Sequence, residues 1–329
     1  MTRRVMAFCA VVTLVATTAG CGLFGGSARD DAAARPEVEK ARIEVGIIPS
    51  TEMAPLWVAQ EQGYFAEEGL DVELVPLDGG GAAMTSLIGG DVDISFASYP
   101  LLVQAQQKSR GDVDVKIVSD ASAARPDTTA VVVTKDSPLR GAKDLADKKI
   151  AVPATGSMAD LAVLAGMKAA KAATAGVDWQ VMNFPDMLPN LRSGAVDAAF
   201  LVEPYLSVAQ AQLGVWTVFE PMVGRLEGIA LNGYAALAET TTAYPKTVAA
   251  FQRAVLRAHR AATTPEGQAA IRLALIEQAE VRPEIAPVLH LPAYPLTTDP
   301  TRLQRVPDLL REFGLIADTF DIKPMIVSG

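Results

Sequence analysis

One ten-residue pattern occurs twice in this chain and constrains its fold more than any other feature. Leu87-Ile88-Gly89-Gly90-Asp91-Val92-Asp93-Ile94-Ser95-Phe96 and Leu191-Arg192-Ser193-Gly194-Ala195-Val196-Asp197-Ala198-Ala199-Phe200 share the form L-x-x-G-x-V-D-x-x-F. In each copy a helical stretch ends, a glycine turns the chain and an apolar strand begins, because glycine takes the left-handed conformation that closes a helix at no steric cost. Two copies predict two similarly built halves. Each predicted strand runs out into polar or turn-forming residues, Ser98-Tyr99-Pro100 in the first copy and Glu203-Pro204-Tyr205 in the second. Ligands of open α/β sheets sit outside the carboxyl ends of the strands, so both ends are expected to face one cleft.

The rest of the sequence keeps that rhythm. Short apolar runs at 43–48, 72–77, 94–97, 115–118, 130–134, 149–152, 177–182, 198–202 and 215–219 alternate with helical stretches, which predicts an α/β architecture with largely parallel sheets. The first helix is expected to open at Pro55, whose fixed φ suits the first turn, and to close at Gly63. The C-terminal third reads as mainly helical, with helices over 245–262, from Thr264-Pro265 onward, and over 301–313.

The chain has 329 residues, half of them hydrophobic, which is enough for a substantial core and allows two lobes. A net charge of -9 with no clustered Lys and Arg argues against a nucleic-acid partner. Both cysteines, Cys9 and Cys21, fall within the first twenty-one residues, so the folded part is expected to carry no disulfide and no cysteine-based metal site. The beginning reads as an export signal over residues 1–20: Arg3 and Arg4, an apolar run from Val5 to Ala16, then small residues. Ala19-Gly20-Cys21 resembles the lipobox of bacterial lipoproteins, which implies a lipid such as palmitate on Cys21 and a chain anchored to the outer face of the cell membrane. Thr2-Arg3-Arg4 is also compatible with twin-arginine export. Residues 21–41, rich in Gly, Ser, Asp and Pro, are expected to form a flexible tether.

Three segments carry a family resemblance. The run Ala54-Pro55-Leu56-Trp57-Val58-Ala59-Gln60-Glu61-Gln62-Gly63-Tyr64-Phe65-Ala66-Glu67-Glu68-Gly69-Leu70-Asp71-Val72 resembles the opening of solute-binding proteins for nitrate, sulfonates, taurine and thiamine-precursor pyrimidines. Residues 144–152 (Asp-Leu-Ala-Asp-Lys-Lys-Ile-Ala-Val) and the stretch from Gly194 to Pro204 resemble that group too. The resemblance implies a two-lobed periplasmic-binding-protein-like fold with a ligand cleft between the lobes and a helical C-terminal region. It places lobe one at 42–125 with a return over 226–329, and lobe two at 126–225, with crossovers near 122–129 and 227–234. It further implies a monomer that delivers a small organic molecule, sulfonate, taurine-like or pyrimidine-like, to the permease and ATPase subunits of an ABC importer. The competing reading is an enzyme on the same fold, resembling pyrimidine-forming or menaquinone-pathway proteins.

A polar ligand needs fixed donors, and the first backbone N–H groups of a helix supply them because they have no partner inside the helix. Candidate ligand-binding residues therefore lie at loop-to-helix junctions: Ser50 and Thr51, Gly80 and Gly81, and Gly156 with Ser157. Ser98 and Tyr99 follow the first repeat strand, and Glu203 holds the matching place in the second. Asp186, near a helix start, and Arg125, at the expected crossover, complete the set, each equally readable as a cap or an ion-pair partner. Trp57, Trp179 and Trp216 read as packing residues. No catalytic residue, cofactor or metal site is expected, since His259 and His290 are the only histidines and no HExxH, GxSxG or Walker spacing occurs.

Overall fold

The computed structural model describes residues 36–109 and 111–328. The expected export signal, Cys21 and most of the expected tether lie outside them. The end of the expected tether, residues 36–41, is packed: Glu39 accepts the N–H groups of Lys246 and Thr247 at 3.1 and 2.9 Å and so caps the helix Pro245–Ala261.

Among the described residues, ten strands form two five-stranded sheets. In chain order they are β1 (Arg42–Ile47), β2 (Asp71–Pro76), β3 (Ile94–Ser98), β4 (Val115–Ala123), β5 (Thr129–Val133), β6 (Lys149–Val152), β7 (Asp178–Val181), β8 (Ala198–Val202), β9 (Trp216–Phe219) and β10 (Ala230–Leu237). The sheet orders are β2-β1-β3-β10-β4 and β7-β6-β8-β5-β9. Position by position the two sheets match, and the two repeat strands, β3 and β8, occupy the centre of each.

The repeat explains this equivalence. Gly90 and Gly194 close the preceding helices at φ of 77° and 75°, a conformation open to glycine. Asp93 then donates its N–H to the Glu44 carbonyl at 2.9 Å, while its carboxylate accepts the Glu44 N–H at 3.0 Å. Asp197 repeats the exchange with Lys149, at 2.9 and 2.8 Å. One side chain thus fixes the register between the central strand and its parallel neighbour in each sheet. Leu87 and Leu191, with Val92 and Val196, bury themselves in the cores beneath.

The sheets are mixed rather than largely parallel, which corrects the expectation. β10 runs antiparallel to β3 and β4, and β5 runs antiparallel to β8 and β9. Both exceptions follow a crossing: the chain passes from β4 to β5 through 124–128 and returns from β9 to β10 through 220–229, entering each sheet against its direction. The strand β10 was not anticipated because Asn232-Gly233 reads as a turn. In the fold Gly233 lies against the Tyr99 ring, where a Cβ would meet Tyr99 Cζ at 2.8 Å, so the glycine serves close approach instead. The two crossings lie side by side, with Ala124 N–H on Ile229 O at 2.9 Å and Gly228 N–H on Ala124 O at 3.1 Å.

The C-terminal helices appear near the expected places, as Pro245–Ala261, Pro265–Gln278 and Pro300–Glu312. The first of them packs on the first sheet, where Phe251 stacks on Phe65 at 5.7 Å and meets the edge of Tyr234 at 5.6 Å. The last braces the second crossing, because Arg305 donates to the carbonyls of Glu227 and Arg225 at 3.1 and 2.6 Å. Trp57 is buried as expected. Trp216, on the edge strand β9, is exposed at the surface, with the Arg140 guanidinium over its ring.

Replacing Asp197 by Ala should lower the unfolding free energy by about 1.5 to 3 kcal/mol, because a backbone N–H loses its charged acceptor. Asp197→Asn should lose less, since its amide oxygen still accepts. Denaturant unfolding of the two variants checks this; equal stability of Asp197→Ala and the parent would contradict the account.

Candidate functional site

The carboxyl ends of the strands converge on a cleft of about 280 Å³ between the two sheets. Ser50 and Glu52 reach it from the loop after β1, Asp78 to Gly80 from the loop after β2, and Phe96 with Ser98 from β3. The second sheet contributes Ala154 after β6, Asn183 and Phe184 after β7, and Phe200 of β8. Phe96 and Phe200 are the matching final residues of the repeat, so the duplicated pattern ends at the cleft from both sides. The wall is mostly apolar, with Phe184 and Tyr205 stacked at 5.1 Å and an interplanar angle of 17°.

Three hydroxyls in this wall have no partner. The oxygens of Ser50, Ser98 and Thr129 are buried and make no hydrogen bond. A buried hydroxyl left unpaired costs roughly 1 to 3 kcal/mol. Glu52 is the fourth polar group. Burial raises its carboxyl to about 7, a shift that a hydrogen bond with the Asn232 side chain partly offsets. Among the described residues no Lys, Arg or His lines the cleft.

Of the residues expected from sequence, Ser50, Gly80, Ser98 and Ser157 line the cleft. Gly80 sits in the first turn of the helix Gly79–Gly89, where a Cβ would meet Leu101 Cδ1 at 2.6 Å. Gly81, one residue on, is exposed and lines, with Asp186, an adjoining cavity that shares Asp78, Gly80 and Asn183 with the cleft. The junction at Gly156 and Ser157 is satisfied from within. Gly156 N–H donates to Asp160 Oδ2 at 2.7 Å, its carbonyl accepts from Gln104 Nε2 at 2.5 Å, and the Ser157 hydroxyl donates to Ala154 O at 2.8 Å. Asp160, raised by burial to about 6, therefore occupies the amides that an anionic ligand would need.

The remaining candidates do not line the cleft. Tyr99 is buried in the core, where its hydroxyl donates to Asp120 Oδ1 at 3.0 Å, and Arg302 takes the other oxygen. Glu203 is a buried cap: it accepts the Ser207 hydroxyl at 2.8 Å and the Ser207 N–H at 3.1 Å at the start of the helix Tyr205–Leu213. Burial raises its carboxyl, and its backbone carbonyl accepts the Thr51 hydroxyl at 3.1 Å. Thr51 thus ties the β1 loop to the end of β8 instead of facing a ligand. Arg125 and Asp186 are exposed, Arg125 on the crossing and Asp186 on the helix Phe184–Ser193.

Sequence reasoning passed over Glu52, Asn183, Thr129 and Asn232. Glu52 stands next to the Ser50-Thr51 pair that was singled out, so its placement in the same junction was the available signal. Asn232 was hidden by the turn-like Asn-Gly of β10.

Over residues 36–276 the sequence matches the NMT1-like family. The putative binding protein YtlA of Bacillus subtilis is 30% identical over 106 residues, which are 32% of this chain and 31% of that protein, so the match spans about a third of the relative's length. The periplasmic aliphatic sulphonate binding protein SsuA of Escherichia coli superposes with a TM-score of 0.69 at 19% identity, covering 87% of this chain and 97% of that one. The periplasmic nitrate-binding protein NrtA of Synechocystis superposes at 0.74 with 16% identity, covering 88% and 85%. At these identities the likeness is one of fold: the α/β architecture of periplasmic binding proteins.

Because the Glu52 carboxyl is raised from 4.5 to about 7 in the fold, wild-type stability is retained below pH 4.5 and lost as pH rises through 7. Glu52→Gln should therefore match the parent near pH 4 and exceed it at pH 8 by up to about 3 kcal/mol. Unfolding measured across that range checks the sign; a variant less stable at pH 8 would contradict it.

Proposed function

Since the chain belongs to the NMT1-like family, we propose that it is a solute-binding protein that captures a small organic molecule in this cleft and delivers it to the permease and ATPase of an ABC importer. The observation that carries the reading is the set of three unpaired, buried hydroxyls of Ser50, Ser98 and Thr129 around an otherwise apolar cleft. A closed apolar core would leave no reason to retain them, whereas a pocket with a few convergent polar groups is how small-molecule sites are built.

In this reading residues 42–125 with 226–329 form one lobe and 126–225 the other, turning about the paired crossings. Hydrogen bonds across the cleft support reading this arrangement as the closed one. Tyr205 donates to Pro49 O at 3.3 Å, Thr51 to Glu203 O, and Gln104 to Gly156 O. Closure buries the ligand and creates the surface that a permease reads. The ligand is a polar organic molecule with a hydrogen-bond donor, not a bare inorganic anion, because no cationic side chain lines the cleft and Asp160 already fills one helix terminus. A sulfonate, taurine-like or pyrimidine-like molecule remains within reach of that description only through its donor groups.

Anchoring belongs to the same proposal. No described helix is long and apolar enough to cross a membrane. Lipid on Cys21, with an acylated amino terminus, would hold a monomer at the outer face of the membrane, since one acyl chain alone binds only marginally.

Two measurements test these statements. Mass spectrometry of the denatured protein should release a small organic molecule, and its re-addition should shrink the radius of gyration in solution scattering. An unchanged radius at saturation would contradict closure. Fatty-acid label should be incorporated into the parent and vanish in Cys21→Ser; persistent label would remove the anchor assignment.

A further inference from the structure

The solved relatives named above bind anions according to their descriptions, sulphonate in one and nitrate in the other. The charges in this cleft have the opposite sign. Its ionisable lining side chains, apart from the Tyr205 phenol, are the two acids Glu52 and Asp78. Among the described residues Glu52 forms no ion pair; its polar neighbours are the Asn232 amide and the Tyr294 hydroxyl, and the Arg125 and Arg272 charges that act on Tyr294 make no ion pair with Glu52. Tyr294 is itself fixed, donating to Thr51 O at 2.6 Å. The other buried acids near the two lobes are each matched by internal donors: Asp160 by backbone N–H groups, Glu203 by Ser207, Asp120 by Tyr99 and Arg302. Glu52 opens on the cleft without a cation, and so does Asp78, which is exposed where Glu52 is sheltered.

A carboxylate in an apolar cavity is stabilised by an opposite charge or by several N–H donors, and the protein supplies neither. The guest must. The walls around it are flat and apolar, formed by Phe96, Phe200 and the stacked pair Phe184 and Tyr205, and aromatic faces also favour a cation. Resting on the solute-binding reading, we propose that Glu52 is the specificity-determining residue of the cleft and that its ligand is a small organic cation, an N–H-bearing ammonium or amidinium head on a planar or apolar body. The head pairs with Glu52, a planar head doing so through two parallel hydrogen bonds. The body lies between the phenyl rings, and the hydroxyls of Ser50, Ser98 and Thr129 take any remaining polar atoms.

Four ring compounds of one size separate the charge states: benzamidine, benzamide, benzoate and benzenesulfonate, each tested by thermal shift and titration calorimetry on the full chain freed of co-purified solute. Benzamidine should stabilise the protein and bind at least tenfold more tightly than benzamide, and the two anions should give no shift. In Glu52→Gln the preference for benzamidine over benzamide should fall to near unity while the variant still melts cooperatively. A larger shift with either anion overturns the assignment and leaves the solute-binding reading standing. An unchanged preference in Glu52→Gln overturns the role of Glu52, and absence of any benzamidine binding overturns the ligand class. In those cases the co-purified molecule decides the solute-binding reading separately.

Discussion

Two carboxylates, Asp93 and Asp197, set the geometry on which the site depends. Each accepts an N–H near the start of the neighbouring parallel strand, Glu44 or Lys149, while its own N–H reaches the carbonyl of that same residue. A one-residue slip would turn every side chain of the strand to the opposite face. With the register fixed, Phe96 and Phe200 arrive at the cleft and Val92 and Val196 at the core, in both sheets alike. The second half of the chain repeats the solution of the first, which is why two loops of unrelated sequence can meet across one cavity.

The acids of the molecule divide by how they are satisfied. Asp160 and Glu203 act as internal anions at helix starts, consuming N–H groups that would otherwise be open to a ligand. Asp120 is tied to Tyr99 and Arg302 beneath the first sheet. Glu312, on the exposed side of the crossings, is held at about 2, chiefly by Arg225 and further by Lys168. What remains for the cleft is two acids, three unpaired hydroxyls and two amides on an apolar wall. That residue of unsatisfied chemistry, more than the fold itself, defines what kind of guest can be held.

Much of this was legible in the sequence. The repeat implied two equivalent halves, the strand segments fell near their places, and Ser50, Gly80, Ser98 and Ser157 were found from the rule that ligands meet strand ends and helix starts. The misses have physical causes. β10 was hidden because Asn232-Gly233 has the composition of a turn, and its glycine is explained only by a tyrosine ring far away in sequence. Glu203 and Tyr99 sit at strand ends, yet side-chain direction along a strand alternates, and both point into internal networks. Gly156 has the look of an anion cradle until Asp160, four residues on, is seen to fill it. Glu52 had one signal, its place in the same junction as Ser50 and Thr51; its lack of an ion-pair partner is a property of the assembled cleft.

On the proposed function, the unpaired groups of the cleft exist to hold a guest. The most direct test is a crystal structure of the protein as isolated from cells that express its transport partners, refined for bound solute. The account predicts density within hydrogen-bond distance of Glu52 and of at least two of the hydroxyls of Ser50, Ser98 and Thr129. A solute seated elsewhere on the molecule, with those hydroxyls still unpaired, would contradict it.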